Sequence, residues 1–132
     1  MNASERRWIK RLTDPDAGER TLAAFELFGR PLSEALQLAI RSLLLDAESQ
    51  VKDMAGQTLG EAGDLEALPL VIAALASAPP SELRGAAWGL ARLAELHPVA
   101  REPARKALLR YLARARGRTR VHASTLLERF PA

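Results

Sequence analysis

The residues of this chain that could do chemistry are two histidines, a group of four acids, one tryptophan set between arginines, and an arginine-rich C-terminal quarter. His97 and His122 are far apart, and neither has a carboxylate at the helical spacing of a metal-ligand pair: Glu95 and Arg101 flank one, Arg118 the other. His97, in His97-Pro98-Val99-Ala100, reads as a turn residue, and His122 as an interior position left half-wet by the chain end. Asp53, Glu61, Asp64 and Glu66 gather around one helix end. Acid–base catalysis needs a carboxylate held against an apolar wall, and the sequence supplies none there. The group reads as a solvated turn containing a capping Asp. The absence of cysteine excludes disulfides, thiolate nucleophiles and thiolate zinc sites. There is no nucleophile-elbow, phosphate-loop or dinucleotide-binding pattern, so no catalytic residue, metal ligand or cofactor site is assigned. The chain reads as non-enzymatic.

Trp88 carries more information. Leu83, Ala86, Ala87, Leu90 and Leu93 form the buried stripe of its helix, and Trp88 projects off that stripe with Arg84 and Arg92 one turn away. Either it anchors a partner, as an aromatic residue flanked by cations can, or it packs beneath the next repeat between Gly56 and Ser124. On the first reading Lys52, Gln57, Arg84, Trp88 and Arg92 form the contact surface, facing an acidic segment of a protein. The C-terminal quarter, residues 101–132, holds nine cations against Glu102 and Glu128. Arg110, Arg114, Arg116, Arg118 and Arg120 are candidate phosphate contacts, giving salt-sensitive affinity for nucleic acid. The alternative is a solvated cap that stops the array from stacking onward.

The elements that must position these residues follow from composition and period. Of 132 residues, 25 are Ala and 23 Leu, whereas Val and Ile together supply seven. That balance favours helix and excludes an all-β fold. Charge is uneven, with the acidic groups concentrated in the body and the basic ones at the C-terminal end. The longest uncharged run, Ala67 to Ser81, is fifteen residues, too short for a membrane span. No apolar leader opens the sequence. A cytoplasmic protein without membrane attachment is expected.

Arg20, Lys52, Arg84 and Arg120 fall in one column, spaced by 32, 32 and 36 residues. Ala23, Ala55, Ala87 and Ala123 share the next column, then Leu27, Leu59, Ala91 and Leu127. Leu36, Ile40 and Leu43 repeat as Leu68, Ile72 and Leu75, then as Ala104, Leu108 and Tyr111. Each set advances by three or four residues, one stripe of an α-helix, so every repeat holds two amphipathic helices. Predicted helices are 4–13, 15–28, 32–45, 47–60, 65–77, 81–95, 100–114 and 118–130. Asp14, Asp46 and Asp64 are expected to act as helix caps, and Gly29, Gly60 and Gly63 as stops. The pairs Gly56/Gly60 and Gly85/Gly89 suit close helix approach. A helix pair too small to bury its own face stacks on copies of itself. The expected fold is all-α, a right-handed α-solenoid (α-α superhelix) of about four helix pairs, one domain over 1–132 with repeats near 4–28, 32–60, 64–95 and 99–130. Its uncharged 67–81 segment is the middle element, covered on more than one side.

Residues 49–75, SQVKDMAGQTLGEAGDLEALPLVIAAL, resemble the pattern V-R-x-x-A-A-x-A-L-G followed by G-D-x-x-A-L-P-x-L of HEAT repeats, in particular the HEAT-like repeats named after phycobilisome lyases. Asp14 with Arg20, and Asp46 with Lys52, match the Asp and cation six apart of that family's turns. The resemblance implies that each Asp caps a second helix and that each cation can reach a neighbouring repeat's Asp, forming a ladder. Ala78 and Arg114 occupy the third and fourth Asp positions, so the ladder is incomplete. It also implies that second helices line a concave face, which places Trp88 above a groove. A scaffold that holds a protein along that face is the first functional reading. Nucleic-acid binding through the C-terminal arginines is the second, since HEAT-like alkylpurine DNA glycosylases hold DNA in such a concavity. An accessory role in bilin attachment has no motif behind it.

Overall fold

A computed structural model describes residues 1–130 and contains eight α-helices and no strand among them. They are α1 Ala3–Leu12, α2 Ala17–Leu27, α3 Glu34–Leu43, α4 Ser49–Ala62, α5 Leu68–Leu75, α6 Arg84–Leu96, α7 Arg101–Arg114 and α8 Gly117–Leu127. Single 3₁₀ turns lead into α5, α6 and α7. The helices alternate between two rows. α2, α4, α6 and α8 pack successively as the inner row, while α1, α3, α5 and α7 form the outer row. The protein is an α-solenoid.

Most residues of the apolar columns lie in its core, while Leu68, Ile72 and Leu127 are half-buried. Ala23, Ala55, Ala87 and Ala123 are all fully buried. Leu27, Leu59 and Ala91 line the inner row, and Ile40, Leu43, Leu75, Leu108 and Tyr111 do so from the outer row. A side chain of one carbon at every Ala position lets neighbouring pairs close on one another.

The tightest closure is between α4 and α6. A Cβ built on Gly60 would lie 2.3 Å from the Gly89 carbonyl oxygen, one on Gly89 would lie 2.1 Å from that of Gly56, and one on Gly56 would meet the Ala86 methyl at 2.8 Å. The two backbones therefore touch, and only glycine fits. In the outer row α3 and α5 scarcely meet. A seam tight inside and open outside bends the array toward the inner row.

The inter-helix turns are tied by side chains. Arg20 donates to both Asp46 carboxylate oxygens, at 2.9 and 3.0 Å, as the expected ladder requires. The next rung weakens to Lys52 Nζ on the Ser77 hydroxyl, 3.0 Å. At the last, Arg114 reaches back instead, donating to the Leu75 and Ala78 carbonyls at 3.0 and 2.9 Å. The expected caps differ in detail. Asp14 and Asp46 each accept the amide two residues on, 2.8 and 2.9 Å away, closing a small turn just ahead of the helix. Asp16 rather than Asp14 caps α2. Gly29 and Gly63 hold the left-handed φ of +80° and +70° that a stop requires, whereas Gly60 lies inside α4.

Replacing Gly89 by Ala should lower the unfolding free energy by about 3 kcal/mol, because a carbonyl rather than a flexible side chain opposes the new methyl. Urea unfolding would show a lower midpoint at unchanged slope. A midpoint equal to the parent's would mean that α4 and α6 do not touch.

Candidate functional site

The site begins with a helix that lacks a local cap. α6 is preceded by Leu83, which has no side-chain oxygen to receive its first amides. Asp53 supplies one from the middle of α4: the Ala86 amide donates to Asp53 Oδ1 at 2.8 Å. Gly85 makes this approach possible, since a Cβ there would lie 2.6 Å from Gln57 Oε1 and 3.0 Å from Asp53 Oδ2. Burial pushes the Asp53 carboxyl above its ordinary range, although the Ala86 and Gly85 amides, His122 and Arg84 pull the other way.

Above this cap Gln57, Arg84, Gly85, Trp88 and His122 line a shallow depression of about 320 Å³ on the inner row. Trp88 is half-buried. Its ring leans on Phe28 with centroids 5.9 Å apart and planes at 50°, so it spans from the third helix pair back to the first. Trp88 packs against the core, with Phe28 as its aromatic contact, and its other side walls an open depression. The Arg84 side chain is exposed and makes no hydrogen bond or ion pair among the described residues. His122 Nε2 lies 3.1 Å from the Arg84 carbonyl, which fixes the ring at the rim.

The other two residues of the expected contact surface lie outside this depression. Lys52 is tied to Ser77. Arg92 is held between Glu61 at 3.6 Å and Glu95 at 3.2 Å. The acidic group is not the solvated turn expected from sequence. Asp64 is only 5% exposed, caps no helix, and receives two bonds from Arg41 at 2.6 and 2.9 Å. Glu66 joins the same arginine at 3.2 Å, and Asp53 faces α6 instead. His97, the turn residue, has Nε2 2.7 Å from the Gly63 carbonyl. Among the described residues no group of three or more His, Cys, Asp or Glu converges as metal ligands do.

The C-terminal arginines divide into two sets. Arg114 is tied to α5 and Arg120 donates to the Leu112 carbonyl at 2.9 Å. Arg110, Arg116 and Arg118 are exposed, with side chains that make no hydrogen bond or ion pair among the described residues. Phe28, Gly85, Asp53 and His122 join the site beyond the sequence expectation. No sequence signal pointed to Asp53, because a helix expected to start at Ser81 has a local cap; the structure starts α6 at Arg84 and leaves Leu83, which cannot cap, ahead of it.

Helix pairs stacked in two rows define a helical repeat protein. The chain belongs to the HEAT-repeat family, whose model, described as HEAT repeats, matches residues 5–91. Proteins of this family serve generally as non-enzymatic scaffolds for protein partners. No curated protein matches the chain. No helix among the described residues is long and apolar enough to cross a membrane.

Two carboxylates give opposite pH signatures. Burial acts to raise Asp46, but the bonds from Arg20 and the Glu48 amide outweigh it and hold the group below its ordinary range. Its contribution is present above the unfolded pKa and lost as pH falls through the folded value. Asp53 is raised, so the folded state binds its proton more tightly, and stability declines as pH rises from the ordinary carboxylate range through the raised value. In urea unfolding across pH 3–7, Asp46→Asn should flatten the acid loss and Asp53→Asn the decline above it. Curves parallel to the parent's for both variants would contradict these environments.

Proposed function

We propose that this protein is a non-enzymatic adaptor that holds an acidic segment of a protein partner on the concave, inner-row face. The observation that carries the reading is the open side of Trp88 beside an unpartnered Arg84 and the Gln57 amide. An aromatic ring already braced by Phe28 loses little freedom on binding, and an arginine with no internal partner is available for a bidentate carboxylate contact. Asp53 does not oppose an acidic ligand strongly, because the α6 amides already receive its charge. Lys52 and Arg92 stand at the margin, engaged with Ser77 and with Glu61 and Glu95.

Nucleic-acid binding through Arg110, Arg114, Arg116, Arg118 and Arg120 is the second reading, favoured by the exposure of all five. Two are spent on backbone carbonyls, and the nearby Tyr111 is buried and unable to stack on a base.

Titration of the Trp8→Phe variant with an Asp/Glu-rich peptide should change Trp88 emission saturably. Arg84→Glu should weaken that binding by about tenfold or more while leaving the melting temperature unchanged. If Trp88→Ala lowers stability by several kcal/mol and leaves peptide affinity intact, Trp88 is core alone and this reading fails. Labelled single- and double-stranded DNA decides the second reading: a steep salt-dependent anisotropy removed by Arg118→Glu would put nucleic acid first.

A further inference from the structure

α5 has no charged residue, and the uncharged run continues from Ala67 to Ser81. A helix apolar on all sides is one that other elements should cover on all sides. The structure leaves it partly bare: Pro69, Ala73 and Ala76 are exposed, and Leu70 and Ile72 half-buried. The middle element is covered on more than one side, by α6 and in part by α7, and its outward side stays bare because the outer row is splayed.

The bare side meets α7 across a groove. At its C-terminal end a depression of about 400 Å³ lies between Ile72 and Ala73 on α5, with Ala76 just past its end, and Ala107, Arg110 and Arg114 on α7. At its N-terminal end another, of about 580 Å³, lies among Leu65, Leu68, Pro69 and Val99, the last 73% exposed, with Glu66 at its edge, so a carboxylate is disfavoured at this end and favoured at the other. The walls are pinned. Tyr111 donates its hydroxyl to the Pro80 carbonyl at 2.6 Å, and Arg114 holds the Leu75 and Ala78 carbonyls. An occupant would break no internal hydrogen bond. Among the described residues Arg110 is the one cation here whose side chain has no partner, and no acidic residue lines this end of the groove.

We infer that the α5–α7 groove is the docking site for an amphipathic helix of a protein partner, seated with its apolar stripe along α5 and its carboxylates at the Arg110–Arg114 end. Charge complementarity selects this occupant. A phosphate backbone would use the cations and leave the apolar trench uncovered, and a wholly apolar segment would leave Arg110 without a partner. A helix with anchors at i, i+3 or i+4 and i+7 and acids on its flank meets both demands. The surface belongs to the outer row, so it stands independently of the Trp88 depression on the inner row.

The test is fluorescence anisotropy with a labelled, end-capped peptide of about fourteen residues, Leu on one helical face and Glu on the other. A scrambled isomer with dispersed Leu and a single-stranded oligonucleotide serve as comparisons. The amphipathic peptide should bind saturably with a Kd of roughly 10–100 μM. Ala73→Glu should weaken it by at least about tenfold, by setting an unpaired carboxylate against the apolar stripe. Arg110→Glu should weaken it by about threefold or more, each titration being run in an Arg84→Glu background so that the inner-row face, itself proposed to take acidic segments, does not contribute. Both groove positions are exposed, so these variants fold, which circular dichroism melting checks. Equal binding of the scrambled isomer, indifference to Ala73→Glu, or displacement of the peptide by the oligonucleotide would overturn the assignment. So would the absence of saturable binding up to about 1 mM in that background.

Discussion

Everything in this molecule depends on how closely α4 and α6 approach. Gly56 and Gly60 face Ala86 and Gly89 with no side chain larger than a methyl between the backbones. That approach delivers Asp53 to the first amides of α6, which have no other cap. Across α4, Trp88 of α6 leans on Phe28. The outer row cannot follow, since α3 and α5 scarcely meet. One constraint thus closes the inner face around a small polar depression and opens the outer face along an apolar helix. The inner-row depression and the outer-row groove are two consequences of one glycine contact.

The rest of the array is held by polar ties between successive turns, and these change character along the chain. Near the N-terminus the tie is a bidentate ion pair, Arg20 to Asp46, and a second joins Arg41 to Asp64. Further on, Lys52 meets only a hydroxyl. At the C-terminal end cations and rings bind carbonyls directly, as Arg114, Tyr111 and His122 do. Side chains that donate to carbonyls leave no acid to balance the arginines around them, and this is where cationic surface accumulates. Among the described residues every buried side-chain nitrogen and oxygen has a partner. The ties therefore fix the stacking without leaving desolvated groups unpaired.

The fold was legible because its information is periodic. Columns through Ala23, Ile40 and Leu43 recur at a spacing that only paired helices explain, and the observed helices begin and end within a few residues of that expectation. The glycine pairs were legible for the same reason, since small residues one turn apart make a flat strip. What the sequence hid was the choice of partner. Asp14, Asp46 and Asp64 look alike as caps, yet two close small turns and the third is buried under Arg41. Asp53 looks like part of an acidic surface and serves a helix far along the chain. Such choices depend on which carboxylate the packed array brings near an unsatisfied donor. The candidate site was legible in Trp88, Arg84 and Gln57 because they share one register. Lys52 and Arg92 share it too, but nearby Ser77, Glu61 and Glu95 engage them first. Phe28 and His122 enter from helix ends, where a column gives no direction.

If the α4–α6 contact is the keystone, it should also be the last part of the molecule to open. Native-state amide hydrogen exchange measures this directly. The account predicts that interior amides of α4 and α6, such as those of Leu59 and Leu90, exchange only through global unfolding, while those of α1 and α8 exchange through cheaper opening at the array's ends. Equal protection along all eight helices, or α4 and α6 exchanging no more slowly than α1 and α8, would contradict it.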